Sequence, residues 1–343
     1  MIRTAAHEAQ AQSASTQRAS RVAVVANPHA PSGDALGAWQ RRLAALRRDA
    51  VVCGELETCG DGANVQRVAR LLDDTRAQVV IAAGGDGTVS DVVQAIMLAG
   101  GTERPALAII PLGTANNVAR SLGLISCRHG GARAMDLAVA TALNGPERRI
   151  DLGRVGQRYF VGSFALGMDA DILITRNRWR RRLRLNARVG GYPLYLLSCA
   201  VNLLRPHGAA ARLRIDGSAV TSKAYNLLIT NTPIYAGEFR FDTDNSSDDG
   251  CLDLHLFEGP LDYLRRYPAA WRRHVRYARG LPCRAPHERR LIRTLQVEFA
   301  SPVACQRDGE ESGAAASYEI CVVPQALTVR VLEALEMSGG ISS

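Results

Sequence analysis

A chain of 343 residues exceeds the roughly 100–200 of a typical domain, so two domains are expected, and an apolar fraction of 47% is enough for sizeable cores. The formal charge of +9 and pI near 9.4 favour anionic partners (nucleic acid, anionic membrane or nucleotide) without choosing among them. Eight scattered cysteines with no CxxC pair exclude zinc-ribbon spacing and a dense disulfide framework, and fit reduced thiols in a cytosolic protein.

In chain order, residues 1–20 are polar, lack a secretory apolar run and read as a disordered segment. Arg21–Ala26 is a short Val-rich strand that ends in the turn cluster NPHAPSG. Ala35–Arg48 repeats Leu36, Trp39, Leu43 and Leu46 at helical spacing. Val51–Leu56 reads as a strand, Asn64–Leu72 as a helix, Val79–Ala83 as a buried strand, and Val89–Leu98 as a helix. Ala106–Ile110 is a fourth strand, after which PLGTANN turns and Val118–Leu122 starts another helix. Short apolar strands alternating with helices predict a mainly parallel sheet covered on both faces. Ligands bind such sheets beyond the strands' carboxyl ends, where NPHAPSG, GGDGTVS and PLGTANN would converge.

The pattern changes after about residue 148. Asp151–Leu332 reads as mostly antiparallel strands, with YEICVVP and LTVRVL among them and a hairpin turning at Asp216-Gly217. Helical inserts interrupt it near Ile172–Leu204 and Leu261–Arg279. The longest apolar stretch, Gly190–Leu204, contains Pro193 and Asn202 and falls short of the ~18–20 residues of a spanning helix, so it reads as a buried or interfacial helix. The expected organisation is a disordered 1–20, an α/β domain at 21–148, a β domain at 149–332 and a tail at 333–343.

Two loops bear chemistry. GGDGT is neither a Walker loop nor a dinucleotide fingerprint. Its glycines permit close backbone approach, and the N–H groups opening the next helix form an anion site. Asp86 in its centre repels phosphate unless a divalent cation intervenes or the acid faces the hydroxyl to be phosphorylated. In PLGTANN, Pro111 ends the strand, Gly113 frees the backbone, and Thr114, Asn116 and Asn117 offer hydrogen bonds. Read alone, the first loop is equally a tight strand–helix turn with a solvated acid, and the second an N-cap.

Taken in order, VVANPHAPSG, VVIAAGGDGTVSDVV, LAIIPLGTANNVARSLGL, RRIDLGRVGQRYFVGSFALGMDADI, LLITNTPIYAGEFRFDTDNSSDDGCLDL and CQRDGEE resemble the diacylglycerol kinase catalytic-domain superfamily over about Arg21–Leu332. That superfamily includes bacterial soluble lipid kinases, sphingosine kinases and ceramide kinases. The resemblance implies an α/β nucleotide-binding domain, similar to that of NAD kinases and phosphofructokinases, joined to an antiparallel β-sandwich with helical inserts. It implies transfer of the ATP γ-phosphoryl group to a lipid hydroxyl, with Mg²⁺ as cofactor. By motif, Asn27, Pro28, His29, Ala30, Pro31 and Thr58 line the nucleotide. Gly84, Gly85, Asp86, Gly87, Thr88, Val89 and Ser90 hold phosphates through backbone N–H groups, with Thr114 beside them. Asp86 and Asp151 organise magnesium and water, and Glu310 is the general base, with Glu311 its neighbouring rival. A separate metal site is implied at Asp249 and the main-chain oxygens of Ser246 and Cys251, with Asp248 as the substitute for Asp249. The chain departs from the family at Asn117, where Asp is common, and in the stretched Asn-Pro loop, which leaves direct phosphate contact by Ser32 or Gly33 open.

Arginines interleave with aromatics in TRNRWRRRLRLNAR (Thr175–Arg188, including Arg176, Arg178, Arg180–Arg182, Arg184 and Arg188) and LRRYPAAWRRHVRYARG (Leu264–Gly280). Such faces suit an anionic lipid interface, nucleic-acid phosphates, or solvent alone. The kinase reading selects the membrane: a cytoplasmic enzyme peripherally bound to an anionic surface, with a lipid substrate and no nucleic acid. The sequence permits a homodimer without arguing for one. The histidines show no HExxH and no serine sits in a G-x-S-x-G elbow, so neither a histidine metal site nor a hydrolase triad has an anchor. Two rivals remain: a kinase for a soluble acceptor such as a nicotinamide dinucleotide, and a non-catalytic nucleotide- or nucleic-acid-binding relative.

Overall fold

Four short strands, β1 (Val22–Ala26), β2 (Val52–Glu57), β3 (Val79–Gly84) and β4 (Ala106–Pro111), run parallel in the order β2-β1-β3-β4 in the computed structural model of the chain. The described residues are 21–30, 33–49, 51–99, 104–183, 192–205, 209–242, 244–283 and 290–333. Segment 1–20, residues 334–343 of the tail, Pro31, Ser32, Arg184 and Arg188 lie outside them. Helices α1 (Asp34–Arg48), α2 (Asn64–Thr75) and α3 (Asp86–Leu98) connect the strands, and α4 (Asn117–Ser121) and α5 (Cys127–Asn144, kinked at Gly131) follow β4.

Burial on both faces explains why β1, β3 and β4 are unbroken apolar runs, while the edge strand β2 carries two glutamates. Ala23 and Val25 of β1 join a core with Val68 and Leu72 of α2 and Val92, Val93 and Ile96 of α3. Val22 and Val24 join a second core with Trp39 and Leu43 of α1 and Met135 and Ala138 of α5. Each fully buried Val or Leu contributes roughly 1.5–3 kcal/mol.

The second half is antiparallel. Its strands are β5 (Glu147–Val155), β6 (Arg158–Phe160), β7 (Ser163–Gly167), the hairpin β8 (Ala209–Ile215) and β9 (Ser218–Ala224), β10 (Asn226–Thr230), β11 (Leu252–Phe257), β12 (Leu291–Ile292), β13 (Thr294–Arg307) and β14 (Glu310–Arg330). Helices α6 (Met168–Arg182) and α7 (Tyr192–Leu203) occupy the first insert, and α8 (Pro260–Ala278) the second. In β7, Phe164 and Leu166 face one core while Ala165 faces another, shared with Tyr263 and Tyr267 of α8; this is the period of two that a strand imposes. Two Asp-Gly pairs make primed two-residue turns with both residues at positive φ. Asp216-Gly217 joins β8 to β9 as expected, and Asp308-Gly309 (φ 47° and 83°) joins β13 to β14.

YEICVVP and LTVRVL are two halves of one strand rather than two sandwich strands. β14 is bent by a bulge between Val323 and Leu327, where Gln325 has φ 47°. Beyond the bend it pairs in parallel with β4 (Val329 opposite Leu107), and Leu327 and Val329 enter the first-half core together with Ile150 and Leu152 of β5. Residues on the far side of a boundary at 148/149 thus complete the α/β core. One sheet path runs from β12 to β2, and the site lies where its halves meet. Among the described residues no helix is long and apolar enough to cross a membrane.

Candidate active site

Because β2, β1, β3 and β4 end side by side, Thr58, Asn27, Gly84-Gly85 and Leu112–Thr114 form one row. Thr58 N–H donates to Ala26 O (2.8 Å), Asn27 N–H to Ala83 O (2.9 Å) and Leu112 N–H to Gly84 O (3.0 Å). Asn27 Oδ1 accepts His29 N–H (2.9 Å) and Asn27 O accepts Ala30 N–H (3.2 Å), closing the turn over Pro28. Thr114 is exposed at the row's other end. The glycines let the two loops touch: a Cβ on Gly113 would stand 2.4 Å from Gly85 Cα.

The first turn of α3 differs from the expectation. The helix starts at Asp86, three residues before Val89, because Gly85 is extended (φ −99°) and Val89 N–H already closes onto Gly85 O (3.1 Å). Val89 is therefore removed from the anion donors, and Ser90, one residue deeper, bonds in the helical i to i−4 ladder. Gly85 supplies no side-chain cap, which leaves the first-turn N–H groups of Asp86, Gly87 and Thr88 to meet an anion.

Acids gather over this turn. Asp86 Oδ1 accepts Val118 N–H (3.3 Å) and Oδ2 accepts Asn117 Nδ2 (3.4 Å). Burial, with the Asp308 carboxylate nearby, pushes Asp86 up to about 6 against those hydrogen bonds. The β13–β14 turn brings Glu310 over α3, where a Cβ on Gly87 would lie 3.1 Å from Glu310 Oε1. Glu310 is solvent-exposed as a residue, yet its carboxyl is crowded enough that desolvation, then Asp91, raises its pKa, while Arg176 and Arg180 oppose the rise. Glu311 is drawn to α6 by Asn177 Nδ2 (2.8 Å) and Arg181 (3.4 Å), which separates the two neighbours.

Residues not singled out from sequence complete the arrangement. Asp308 is buried and accepts N–H bonds from Val161 (3.0 Å), Gly162 (2.8 Å) and Ser163 (3.0 Å). Asp91, on α3, accepts Asn64 Nδ2 (2.9 Å), and Asn64 Oδ1 accepts Cys59 N–H (3.0 Å) beside Thr58. Both acids lie inside motifs quoted above, VVIAAGGDGTVSDVV and CQRDGEE, so the signal was present. Gln94 pins α3 to the other half through Tyr159 O (2.6 Å) and Tyr159 N–H (3.1 Å).

Asp151, expected in the magnesium network, meets two backbone amides of the second half. It is 0% exposed, with Oδ2 accepting Gly250 N–H and Oδ1 accepting Gln325 N–H, both at 2.7 Å. Gln325 is the bulge residue of β14, so Asp151 satisfies an amide the bulge removes from the ladder. Through these two bonds Asp151 clasps β14 to the 246–251 turn. Asp151→Asn aims an NH₂ at one of these donors; we expect a loss of roughly 1–3 kcal/mol in urea unfolding, with turnover of the remaining folded enzyme largely kept. In the same turn Asp248 is paired with Arg148 (3.0 Å) and Ser246, while Asp249 Oδ1 accepts Cys251 N–H (3.0 Å) at the surface.

Residues 21–155 match the diacylglycerol kinase catalytic domain, and residues 162–331 match the YegS C-terminal NAD kinase beta sandwich-like domain. A diacylglycerol kinase of Bacillus subtilis is 32% identical over 203 residues, 59% of this chain and 61% of that one. A probable lipid kinase YegS-like protein of Chromohalobacter salexigens is 40% identical over 113 residues, 33% of each chain. The matches thus span less than two thirds of these relatives' lengths. The crystal structure of a diacylglycerol kinase from Bacillus anthracis shares the fold, with a TM-score of 0.68 at 20% identity over 92% of this chain and 98% of that one.

Proposed function

The chain belongs to the diacylglycerol kinase catalytic-domain family, and on that premise we propose that it is an ATP- and Mg²⁺-dependent lipid kinase whose general base is Glu310. The observation that carries this is the closeness of the Glu310 carboxyl to Gly87, over an uncapped helix start at the strands' carboxyl ends. The base stands where an anion's terminal phosphate would meet an acceptor.

The nucleotide lies along Thr58, Asn27–Ala30 and Gly84–Gly87, with Thr114 at its flank. Glu310 takes the proton of the lipid hydroxyl as that oxygen bonds to the γ-phosphorus and the bond to the ADP oxygen breaks. A carboxyl with a raised pKa suits this task, because a base works best with a pKa near the working pH. The residues fit a divalent ion: the Asp86 and Asp308 carboxylates repel each other, and a cation relieves that repulsion. Among the described residues no three acids, histidines or thiols converge on one point, so Asp86, phosphates and water would share the ion, the coordination Mg²⁺ prefers. Magnesium there neutralises charge developing on the transferred phosphoryl group. A second cation at Asp249 and the Ser246 and Cys251 carbonyls belongs to this reading, as support for the 246–251 turn.

Helix α7 supports peripheral membrane docking. Its buried face holds Leu194 together with Ser198 and Asn202, while Leu196 and Leu197, and Leu204 just past its end, stand at 50%, 54% and 88% exposure, an apolar edge that water does not favour. Arg178 and Arg180–Arg182 are exposed on α6, the helix that packs against α7, and Arg205 is exposed just after α7, a positive charge that suits an anionic headgroup layer beside an inserted apolar edge. Leu196→Asp with Leu197→Asp should lower flotation with vesicles of phosphatidylglycerol and phosphatidylcholine by about tenfold or more, with an unchanged unfolding midpoint.

Incubation with γ-labelled ATP and an extracted lipid pool tests the function. Labelled phosphate in the organic phase supports it. Label only on a water-soluble acceptor favours the nicotinamide-type kinase, and no transfer together with salt-sensitive RNA binding favours a non-catalytic relative.

A further inference from the structure

Tyr235–Phe239 is a small hairpin in the second half, closed by two Tyr235–Phe239 backbone bonds of 2.9 Å. Its tip, Ala236-Gly237, is left-handed at both residues (φ 49° and 82°) and reaches the first domain. Helix α4 grips that tip from two positions. Gly237 N–H donates to Asn117 Oδ1 at 2.6 Å, and Arg120, one turn on, donates through Nη1 to Gly237 O at 2.5 Å. The other end of the Asn117 amide donates to Asp86 Oδ2 at 3.4 Å. The root of the hairpin faces the opposite wall. Tyr235 hydroxyl accepts Gln306 Nε2 at 3.2 Å, and Gln306 Oε1 accepts Gly309 N–H at 2.8 Å, inside the turn that presents Glu310.

We propose that this hairpin is a bracket setting Asp86 and Glu310 against each other, and that Asn117 and Gln306 are its positioning residues. Side-chain hydrogen bonds and the backbone of the hairpin form one path: Asp86, Asn117 and Gly237, then along the chain to Tyr235, Gln306 and the Gly309 turn. Donor arithmetic gives Asn117 its part, since Gly237 N–H needs an acceptor while the Asp86 carboxylate takes a donor, and one amide supplies both. The contact to Asp86 is long, so the grip on Gly237 holds the amide and the amide steers the acid. Shifting a reacting group by about 1 Å is enough to lose on the order of 10²-fold in rate.

The inference rests on the kinase reading, so its test has one arm that needs no activity. Hydrogen exchange at the Gly237 amide is compared in the native chain, Asn117→Ala and Asn117→Asp. We expect exchange to accelerate at least about tenfold in the alanine variant and protection to return in the aspartate variant, which keeps the acceptor. In the activity arm, Asn117→Ala and Tyr235→Phe should each lower kcat by roughly ten- to a hundredfold with KM for ATP within about twofold. Their combination should lose less than the product of the two. Unchanged Gly237 exchange overturns the grip, and purely multiplicative losses, or losses confined to KM, overturn the bracket. A native chain that transfers nothing to lipid refutes the kinase reading, while the exchange arm still decides whether Asn117 holds the tip.

Discussion

Glu310→Gln is expected to lower kcat by about 10³-fold, within the 10²–10⁴ that a positioned general base supplies, while KM for ATP and the unfolding midpoint stay near those of the native chain. Glutamine keeps the shape of the side chain beside Gly87 and removes only the ability to accept the hydroxyl proton. The pH dependence adds a second signature. Desolvation and Asp91 hold the Glu310 pKa above the ordinary glutamate value, with Arg176 and Arg180 limiting the rise. The base works ionised and Asp86 must be ionised too, so native kcat/KM should climb through an acid limb to which both carboxyls contribute, and Glu310→Gln should make that limb shallower, leaving the part that belongs to Asp86. Glu311→Gln is the control: Glu311 already bonds Asn177 and Arg181, so its loss should change rate little. A fully active Glu310→Gln enzyme ends the base assignment, and an inactive Glu311→Gln enzyme transfers it.

The first half of the fold was legible because β1, β3 and β4 are buried on both faces and bounded by turn residues, as in Val79–Gly84 ahead of Gly85. Helix α5 was not legible: Gly130 and Gly131 interrupt it and no clean apolar stripe marks it. The start of α3 was misplaced because its first turn, Asp86-Gly87-Thr88, is polar and glycine-bearing, which reads as loop until Gly85 is seen extended. The unity of β14 was hidden by Pro324-Gln325, a turn signal that the fold uses as a bulge. For the site, the order of the motifs in the resemblance pointed to Asp86 and Glu310 but not to their company. Asp151 was paired with Asp86 only because the resemblance gives both motifs an acid. The sequence could not show the two backbone amides that Asp151 accepts.

Asp86→Asn should remove turnover and yet make the protein more stable at neutral pH. The carboxyl titrates near 6 in the native state against an ordinary value of 3.8. The folded chain therefore holds this proton to higher pH than the unfolded chain does. Its contribution to stability is complete below about pH 4 and is lost as pH rises through 6. Above that, the ionised Asp86 costs folding of order 2 kcal/mol, from a shift of about two units at 1.36 kcal/mol each, reduced because the group is not wholly buried. Asparagine does not titrate, keeps an acceptor for Val118 N–H and escapes the repulsion from Asp308. The urea midpoint of Asp86→Asn should thus exceed the native one at pH 7.5, with the gap closing towards pH 4.5. Activity should fall by more than about 10³-fold, because the same charge that burdens the fold is the one a divalent ion and the transferred phosphoryl group need. An Asp86→Asn variant destabilised equally at both pH values would make Asp86 a structural acid like Asp151. A variant both stabilised and active would leave the Gly-rich turn with an anion site and no role for its acid.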